Sequence, residues 1–391
     1  MWGKGFALAS FLFSGGLASL EFFSTGVVRD YLGSMAWKNI ILTLFVPQRG
    51  FLLAFSIGLV LLWSWRRRFL SHEITLPRWV EGLLWGALPL IHFHTFLFMS
   101  VIFAIWSIAQ KKIKEAVPIF LWAVIPATVT TLCLTDFFRH SGLIWIKPGW
   151  MIGEQNFLYF FIQNYGLFIP LVLFAAYRVV KSKNREYFLM LVPAMIIYLI
   201  LLFVMFAPWE WDNTKLMVWC YLLGLPAIYE LVVKKIKNSL KPILYFWLFF
   251  SGFISLASYF GQAVRPVEIL SRSEVDSVCQ MLREVPIQSV FATMPTYNHP
   301  VSLCGYKIVA GYGGHLWSHG IKSSHVEQKL KTLMMGEGDW RSAAKEIKAR
   351  YLYWGAREKI QFSASTKPWE QTKLRISENE WGQIYDLGEQ P

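Results

Sequence analysis

The chain has 391 residues, of which 55% are hydrophobic, 17% aromatic and only 16% charged. This composition is too apolar for an ordinary soluble protein and predicts a membrane protein. The formal net charge of +13 does not require nucleic acid as a partner, because multi-spanning membrane proteins gather Lys and Arg in their cytoplasmic loops. We therefore expect no nucleic-acid binding.

The basic residues form four clusters at boundaries between apolar runs. These are Arg66, Arg67, Arg68 and Arg78; Lys111, Lys112 and Lys114; Arg178, Lys181, Lys183 and Arg185; and Lys234, Lys235, Lys237 and Lys241. With all four clusters in the cytoplasm, and about 17 to 25 residues for each crossing helix, the chain is expected to have about nine transmembrane helices. The expected spans are roughly residues 5–22, 49–65, 79–93, 95–110, 116–134, 157–178, 186–206, 214–233 and 243–261. This topology predicts a multi-pass protein of the cytoplasmic (inner) cell membrane with a cytoplasmic N-terminus.

Residues 79–110 are too many for one crossing and few for two. A single crossing would separate the first two basic clusters, against the charge rule. We therefore predict two short helices that turn between Pro89 and Thr95. The N-terminal apolar run continues to Phe23 without a small-residue cleavage site, so it is predicted to be a retained helix.

The character of the sequence changes after residue 262, where charges become frequent and no apolar run is long enough to span. The expected fold class is thus mainly α, with a transmembrane helical domain in residues 1–262 and a small extracytoplasmic α/β domain in residues 263–391. Helices are predicted over 273–285, 322–335 and 339–349, and strands over 288–294, 306–310, 350–356, 372–376 and 382–387. Cys279 and Cys304 in this domain are either a disulfide or two buried thiols, and the sequence does not decide between them.

Polar residues collect on the predicted outer face, most densely in PWEWDNTK. An extended chain would direct Glu210 and Asp212 to one side and Trp209 and Trp211 to the other. Two such carboxylates can act as a general base or hold a divalent metal, and the tryptophans can stack on a sugar or anchor the loop. An ordinary solvated loop is an equal alternative. Lys215, in the first turn of the next predicted helix, either extends to the interface or binds a phosphate.

Three further residues on this face are candidates for binding a ligand. Arg49 begins a span on the outer side, against the positive-inside trend, which favours a phosphate partner. His92 and His94 lie at the predicted hairpin tip, where two histidines usually satisfy local backbone groups. A metal site is disfavoured, because the nearby sequence contains no third ligand. The other members of this outer group are Glu21, Asp30, Asp136, Arg139, His140, Lys147 and Glu154.

Several segments together resemble one family. FLFSGGL, PQRGFLLAFSIGL, LPLIHFHTF, NFLYFFIQNYGLFIPL and PWEWDNTKLMVW, followed by CGYKIVAGYGGHLWSHG, look like the later part of bacterial multi-spanning glycosyltransferases of the GT-C type. The resemblance implies transfer of a sugar from a polyprenyl-phosphate carrier to an acceptor outside the cytoplasmic membrane. Its partners would be the lipid-linked sugar and membrane lipid. In that family FLFSGGL follows several earlier helices and an acidic outer loop, so the chain is expected to begin partway into the fold.

Such a transfer needs a carboxylate to take the acceptor proton and cations to stabilise the departing phosphate. We expect Asp212, then Glu210, as the catalytic base or as ligands of a divalent metal. The expected substrate-binding and phosphate-binding group is Arg49, Lys215, His92, His94, Trp209 and Trp211. The alternatives are a transporter or flippase for a lipid-linked or small polar substrate, and a non-catalytic membrane scaffold. Few charges within the spans, and no visible broken helices in matched halves, disfavour the transporter.

Overall fold

The computed structural model describes residues 2–28, 39–71, 73, 76–134, 144–207, 209–261, 269–318, 321–371 and 374–388. The chain divides into two compact units, Met1–Val264 and Arg265–Pro391. The first unit is helical and the second is a small α/β unit.

The helical unit contains long helices joined by short connections. Its α-helices are α1 (Trp2–Leu12), α2 (Phe22–Thr25), α3 (Arg49–Trp65), α4 (Arg78–Ile91), α5 (Phe93–Ala109), α6 (Ile113–Leu134), α7 (Phe157–Tyr165), α8 (Phe168–Ser182), α9 (Arg185–Leu201), α10 (Thr214–Leu231) and α11 (Lys241–Gly261). Short 3-10 helices cover Ala18–Glu21, Glu210–Asn213 and Val233–Lys235, and π-helical turns cover Ile41–Phe45 and Arg66–Leu70. Strands β1 (Trp145–Ile146) and β2 (Val204–Met205) form a two-stranded antiparallel ladder.

Four helical segments are long and apolar enough to cross a membrane: Arg49–Leu70, Ile113–Leu134, Glu210–Lys235 and Lys241–Gly261. The pair α7 and α8, which is bent by 86°, makes a fifth if it is one span. The prediction of about nine spans is not confirmed over the described residues. Length is one reason, because α1 has 11 residues and α4 has 14, fewer than the about 17 that a crossing helix needs.

The predicted turn within residues 79–110 is confirmed. Helices α4 and α5 are separated by His92 alone, whose backbone is extended. The Nδ1 atom of His92 accepts the N–H of Thr95 and so caps α5. Pro89 lies inside α4, so the histidine rather than the proline marks the turn.

The predicted helix over 5–22 is wrong, because α1 ends at Leu12 and irregular backbone follows. At Gly16 the chain passes so close to α7 that a Cβ atom would lie 1.9 Å from the carbonyl oxygen of Gln163. The N–H of Leu17 donates to that same oxygen at 2.8 Å. Only glycine allows this approach, so the close contact between the two backbones explains why the helix stops.

The predicted span over 157–178 is also broken. Gly166, between α7 and α8, has φ +52° and ψ −130°, a conformation that glycine adopts far more readily than other residues. A Cβ atom there would lie 2.8 Å from the side chain of Leu17. The break between α7 and α8 therefore packs directly against the break that follows α1.

Polar groups from other elements stabilise the irregular segment after α1. The side-chain amide of Asn39 donates to the carbonyl of Leu12, and the hydroxyl of Ser14 accepts the N–H of Ile40 at 3.2 Å. Gly252 of α11 lies against the same segment, since a Cβ atom there would be 2.2 Å from the Phe13 carbonyl oxygen. Asn39 thus supplies a partner to a carbonyl at the end of α1, and Ser14 supplies one to the N–H of Ile40.

Helices α3, α5 and α10 pack around the buried indole of Trp219 on α10. Its ring lies 5.2 Å from Phe55 of α3 and 6.0 Å from Phe98 of α5, measured between ring centroids. The indole N–H donates to the hydroxyl of Thr95 at 3.1 Å. Gly58 of α3 makes room for the indole, since a Cβ atom there would lie 2.5 Å from it.

The basic clusters that follow α3 and α5 meet at one end of this bundle. The ammonium of Lys112 donates to the carbonyl of Arg68 at 2.6 Å. Arg66 pairs with Glu186 at the start of α9 at 2.5 Å, and Arg185 donates to the carbonyl of Ala109. We call this end, defined by residues 66–68, 109–112 and 185–186, the basic end.

A buried ion pair also lies at the basic end. Arg68 and Glu81 of α4 are 3.0 Å apart, with exposed side-chain fractions of 1% and 0%. The hydroxyl of Ser64 also donates to Glu81, and Arg68 donates to the carbonyl of Leu76 at 2.6 Å. The two buried charges are thus paired and further hydrogen-bonded, as burial requires.

The α/β unit is built on a five-stranded sheet. Its helices are α12 (Arg272–Met281), α13 (Pro300–Leu303), α14 (Gly313–Ser318), α15 (Ser324–Met335), α16 (Trp340–Glu346), α17 (Ala356–Gln361) and α18 (Pro368–Gln371). Its strands are β3 (Val290–Ala292), β4 (Lys307–Ile308), β5 (Tyr351–Gly355), β6 (Arg375–Glu378) and β7 (Gly382–Asp386), in the order β4-β3-β5-β7-β6. Strands β4, β3 and β5 are parallel to one another, and β7 is antiparallel to both of its neighbours, β5 and β6. Each predicted strand overlaps one of these, so the α/β prediction is confirmed.

Cys279 of α12 and Cys304, just after α13, form a disulfide with a Cα–Cα distance of 5.3 Å. Of the two possibilities that the sequence left open, a disulfide or two buried thiols, the structure contains the disulfide. The bond links two helices that lie beside the parallel part of the sheet.

Candidate functional site

The residues predicted to form a site gather at the end of the bundle opposite the basic end. Helix α3 begins at Arg49, α5 follows His92, and α10 follows the 3-10 helix Glu210–Asn213. Each of these helices runs from this end toward basic residues at its other end: Arg66–Arg68, Lys111 and Lys234. We call the end that carries Arg49, His92 and Glu210–Lys215 the polar end.

The ladder of β1 and β2 brings Lys147 to the polar end. The N–H of Lys147 donates to the carbonyl of Phe203 at 2.8 Å, which continues the pairing past Ile146. Its ammonium then pairs with the carboxylate of Glu210. The sequence placed Lys147 on the outer face but gave no sign of this partner, which lies 63 residues away.

Asn213 organises the connection that carries the acidic residues, and sequence reasoning missed it. Its side chain is fully buried, its amide nitrogen donates to the carbonyls of Leu201 and Val204, and its oxygen accepts the N–H of Phe206. A polar residue directly before a predicted helix was the available signal, because such residues often cap helices or bind nearby backbone.

The prediction that Glu210 and Asp212 present paired carboxylates from an extended loop is wrong. Both belong to a 3-10 helix, which has about three residues per turn, so residues two apart diverge. Asp212 instead pairs with Lys215 at 2.9 Å, with exposed fractions of 19% and 13%. Each carboxylate therefore has its own lysine.

The donor set of the polar end does not fit a divalent metal. Among the described residues no group of three or more His, Cys, Asp or Glu side chains could hold a metal ion. Lysine ammonium groups occupy the places beside both carboxylates. A tight Ca²⁺ or Mg²⁺ site uses several oxygen ligands, so the divalent metal stays a prediction without a ligand set in the described residues.

His92 and His94 lie side by side, with ring centroids 5.6 Å apart. The Nε2 atoms of both are buried and have no hydrogen-bond partner among the described residues. Because Nδ1 of His92 accepts the Thr95 N–H, its neutral ring carries the proton on Nε2. The charge of Lys215 acts on both rings, so the lysine and the two histidines share one electrostatic environment.

Arg49 is exposed at the first position of α3. Its neighbour Gly50 lies so close to α4 that a Cβ atom would be 2.8 Å from the carbonyl oxygen of Ile91. The ring of Phe51 packs against His92 at 5.1 Å. Arg49 thus lies near the turn that contains His92, and within the described residues it makes no ion pair.

The two predicted stacking tryptophans have different environments. Trp211 packs edge to face against Trp150 at 5.4 Å, and Trp150 donates its indole N–H to the carbonyl of Leu201. Trp209 is half exposed. Of the two, Trp209 is accessible to solvent, while Trp211 contributes to packing.

Four other members of the predicted outer group are not described. Asp30, Asp136, Arg139 and His140 lie outside the described residues. Glu154 is exposed in the turn that follows Trp150.

The α/β unit has a buried ionisable pair of its own. Nε2 of His299 and a carboxylate oxygen of Glu358 are 2.9 Å apart, and Glu358 also accepts the N–H groups of Met294 and Gly355. Burial raises the pKa of Glu358, but the hydrogen bonds and the charge interaction with His299 outweigh it and hold that pKa below its usual value.

The pair fills the edge of the sheet where ligands commonly bind. Met294 follows β3 and Gly355 ends β5, and these two strands are parallel neighbours. In the strand order, the chain continues from β3 to β4 on one side of the pair and from β5 to β6 and β7 on the other side. Open α/β sheets bind ligands at such a switch point. Here the side chains of His299 and Glu358 occupy it, so we assign them a structural role.

Comparison with known proteins finds no matching family model, no similar curated protein and no similar solved structure. The resemblance to GT-C glycosyltransferases stays a prediction, and the function is inferred from the chemistry of the polar end.

Proposed function

We propose that the chain is a membrane glycosyltransferase that moves a sugar from a polyprenyl-phosphate carrier to an acceptor on the extracytoplasmic side of the cytoplasmic membrane. One observation carries the proposal. Acids, lysines, histidines and an exposed arginine meet at the end of the bundle opposite the basic end. An acid and several cations are the groups that this transfer requires.

The sidedness has two supports. Lysine and arginine clusters mark cytoplasmic loops, so the basic end belongs in the cytoplasm and the polar end faces outward. A disulfide between Cys279 and Cys304 suits an oxidising compartment, which supports an extracytoplasmic α/β unit. In the proposed topology, the four or five candidate spans of the described residues form the membrane domain, with shorter apolar helices packed among them.

The transfer assigns a role to each charged group. The acceptor hydroxyl oxygen attacks the anomeric carbon of the sugar, the bond from that carbon to the phosphate oxygen breaks, and polyprenyl phosphate leaves. The hydroxyl proton passes to the carboxylate of Asp212. Lys215 and the Nε2–H of His92 stabilise the phosphate, and Arg49 binds its outer side.

The ion pair of Asp212 with Lys215 gives this step an order. While Lys215 holds the carboxylate at 2.9 Å, its ammonium occupies a carboxylate oxygen that the acceptor hydroxyl would otherwise approach. A bound phosphate competes for Lys215 and weakens its hold on Asp212. The base thus becomes active only when the donor is in place. Glu210, held by Lys147, is the second candidate base.

A transporter remains the second candidate, and the two broken helices favour it. Transporters often place substrate beside interrupted helices, and here the breaks after α1 and after α7 pack together. The cavity beside them, lined by Ser10, Gly15, Tyr165 and Tyr221 among others, has only about 10 Å³, room for about one water. That volume is too small for a sugar, so we rank transport below transfer.

The test uses the purified full chain in proteoliposomes that contain a polyprenyl-phosphate-linked sugar labelled in the sugar. The readouts are release of polyprenyl phosphate, appearance of labelled product, and movement of the lipid-linked sugar between leaflets. Transfer predicts the first two, and Asp212→Asn should lower the rate by about 10² to 10⁴-fold, as loss of a general base does.

Glu154→Gln is the matched control, because Glu154 is an exposed acid near the same end of the unit. It should leave the rate unchanged. Movement between leaflets without released polyprenyl phosphate would identify a transporter. If neither transfer nor movement were detected, the non-catalytic scaffold would be favoured. Full activity in both Asp212→Asn and Glu210→Gln would refute the catalytic assignment.

A further inference from the structure

An open cleft of about 390 Å³ lies on the α/β unit. Glu370 of α18, Arg375 of β6, and Gln383 and Tyr385 of β7 line it. Pockets for small ligands begin at about 300 Å³, so the cleft is large enough for a small polar molecule. It lies on the antiparallel side of the sheet, away from the His299–Glu358 pair.

The described charged side chains around the cleft are paired with one another. Arg375 pairs with Glu378 at 2.6 Å, and Lys367 lies 3.8 Å from Glu370. Among the residues that the structure describes around the cleft, these two acids and two bases leave no surplus charge. A charged ligand would therefore have to displace one of these partners, which favours a neutral ligand.

Hydrogen-bond capacity is left over at one side of the cleft. The hydroxyl of the buried Tyr385 lies 2.7 Å from the amide oxygen of Gln383 and 3.3 Å from a carboxylate oxygen of Glu370. Burial, followed by the charge of Glu370, raises the pKa of Tyr385, so the phenol keeps its proton. A carboxylate oxygen can accept more than one hydrogen bond, so Glu370 has acceptor capacity beyond its contact with Tyr385. An acceptor at this side is therefore open to a donor from a ligand.

Donors are left over at the other side. The amide nitrogen of Gln383 gives one N–H to Glu378 at 2.6 Å, and its second N–H has no partner among the described residues. Arg375 carries five N–H donors, and one carboxylate takes at most two of them in a bidentate pair. The cleft thus offers both acceptors and donors, and the charges of its described residues cancel.

We infer that this cleft is a carbohydrate-binding site that takes neutral mono- or disaccharides. Each sugar hydroxyl both donates and accepts, so adjacent hydroxyls match the acceptor side at Glu370 and Tyr385 and the donor side at Gln383 and Arg375. The site concerns binding by the α/β unit and stands whether or not the helical unit transfers sugar.

The experiment titrates the detergent-solubilised full chain with glucose, galactose, mannose, N-acetylglucosamine and their common disaccharides. Saturation-transfer NMR detects binding, and glycine and glutamate are the charged comparison ligands. Glu370→Ala and Gln383→Leu should each weaken sugar binding about tenfold, the equivalent of one lost hydrogen bond. Arg272→Ala on α12, whose side chain is 94% exposed, is the control and should bind sugar unchanged.

Thermal unfolding of each variant checks that it folds. Arg375→Ala, at an exposed position, serves if Gln383→Leu unfolds, and it should also weaken binding. Three results would overturn the inference: no sugar binds, the cleft variants bind as well as Arg272→Ala does, or the amino acids bind in preference to every sugar.

Discussion

Asp212 and Lys215 form an ion pair across one helical turn at the start of α10, and both side chains are largely shielded from solvent. The same lysine acts on the rings of His92 and His94. One ammonium therefore connects the leading candidate base with the two histidines at the turn between α4 and α5.

Lys215 should matter more than Lys147 for use of a lipid phosphate. Lys215→Met is expected to raise the KM for the lipid-linked donor by about tenfold or more, since it removes a charge-assisted bond to phosphate. Lys147→Met is the matched control, because that side chain is half exposed and faces Glu210. Steady-state kinetics in proteoliposomes measure both, and equal effects would contradict the role given to Lys215.

Gly16 should tolerate no side chain. Gly16→Ala would place a methyl group 1.9 Å from the Gln163 carbonyl oxygen, so we expect a loss of about 3 kcal/mol in the free energy of unfolding. Gly5→Ala in α1 is the control, because no atom lies within 4 Å of the added methyl. It should be neutral or slightly stabilising. Thermal unfolding in detergent compares them, and similar midpoints would contradict the close packing of the two breaks.

The Arg68–Glu81 pair should show the cost of an unpaired buried charge. Glu81→Leu leaves the Arg68 guanidinium buried without its carboxylate, which is expected to cost about 3 to 5 kcal/mol. The double variant Arg68→Met with Glu81→Leu should recover most of that loss. Glu73→Leu, which breaks the exposed Arg67–Glu73 pair, should cost less than about 1 kcal/mol. A double variant as unstable as the single one would refute this account.

Glu358 should make the α/β unit sensitive to acid. Its folded-state pKa lies below the ordinary value of 4.5, so the unfolded chain binds the proton more readily. The resulting stability is fully present above about pH 4.5 and is lost as the pH falls through the folded pKa. Hydrogen exchange of amides in β3 and β5, measured from pH 7 to pH 3, should show this loss.

Glu358→Gln is the comparison for that measurement. Because the amide does not titrate, protection in the variant should be lower at pH 7 and should change less between pH 5 and pH 3. An acid-induced loss of the same size in the variant would assign the sensitivity to other groups.

The sequence predicted features that depend on local pattern and on sidedness. The turn at His92 followed from keeping Arg66–Arg68 and Lys111–Lys114 on one side, and the strands of the α/β unit followed from short β-branched and aromatic runs. The grouping of the site residues at one end followed from the same placement of the basic clusters on the cytoplasmic side. These features need no knowledge of distant partners.

Features that depend on distant partners were not predictable. The break at Gly16 exists because Gln163 approaches it, and Lys147 pairs with Glu210 across 63 residues. The extended interpretation of Glu210 and Asp212 failed because buried Asn213 fixes the neighbouring backbone. The short alternation WEWD resembled a strand by residue type alone.

The Cys279–Cys304 disulfide bears on how the protein is made. Both cysteines follow α11, so they leave the ribosome after every helix of the first unit. With the proposed topology, they are thiols in the cytoplasm and become oxidised only after the last segment has been exported. Maturation of the α/β unit would then depend on the thiol-oxidising enzymes of the outer compartment, and cells without them would accumulate a protein whose helices are inserted and whose exported unit is still reduced.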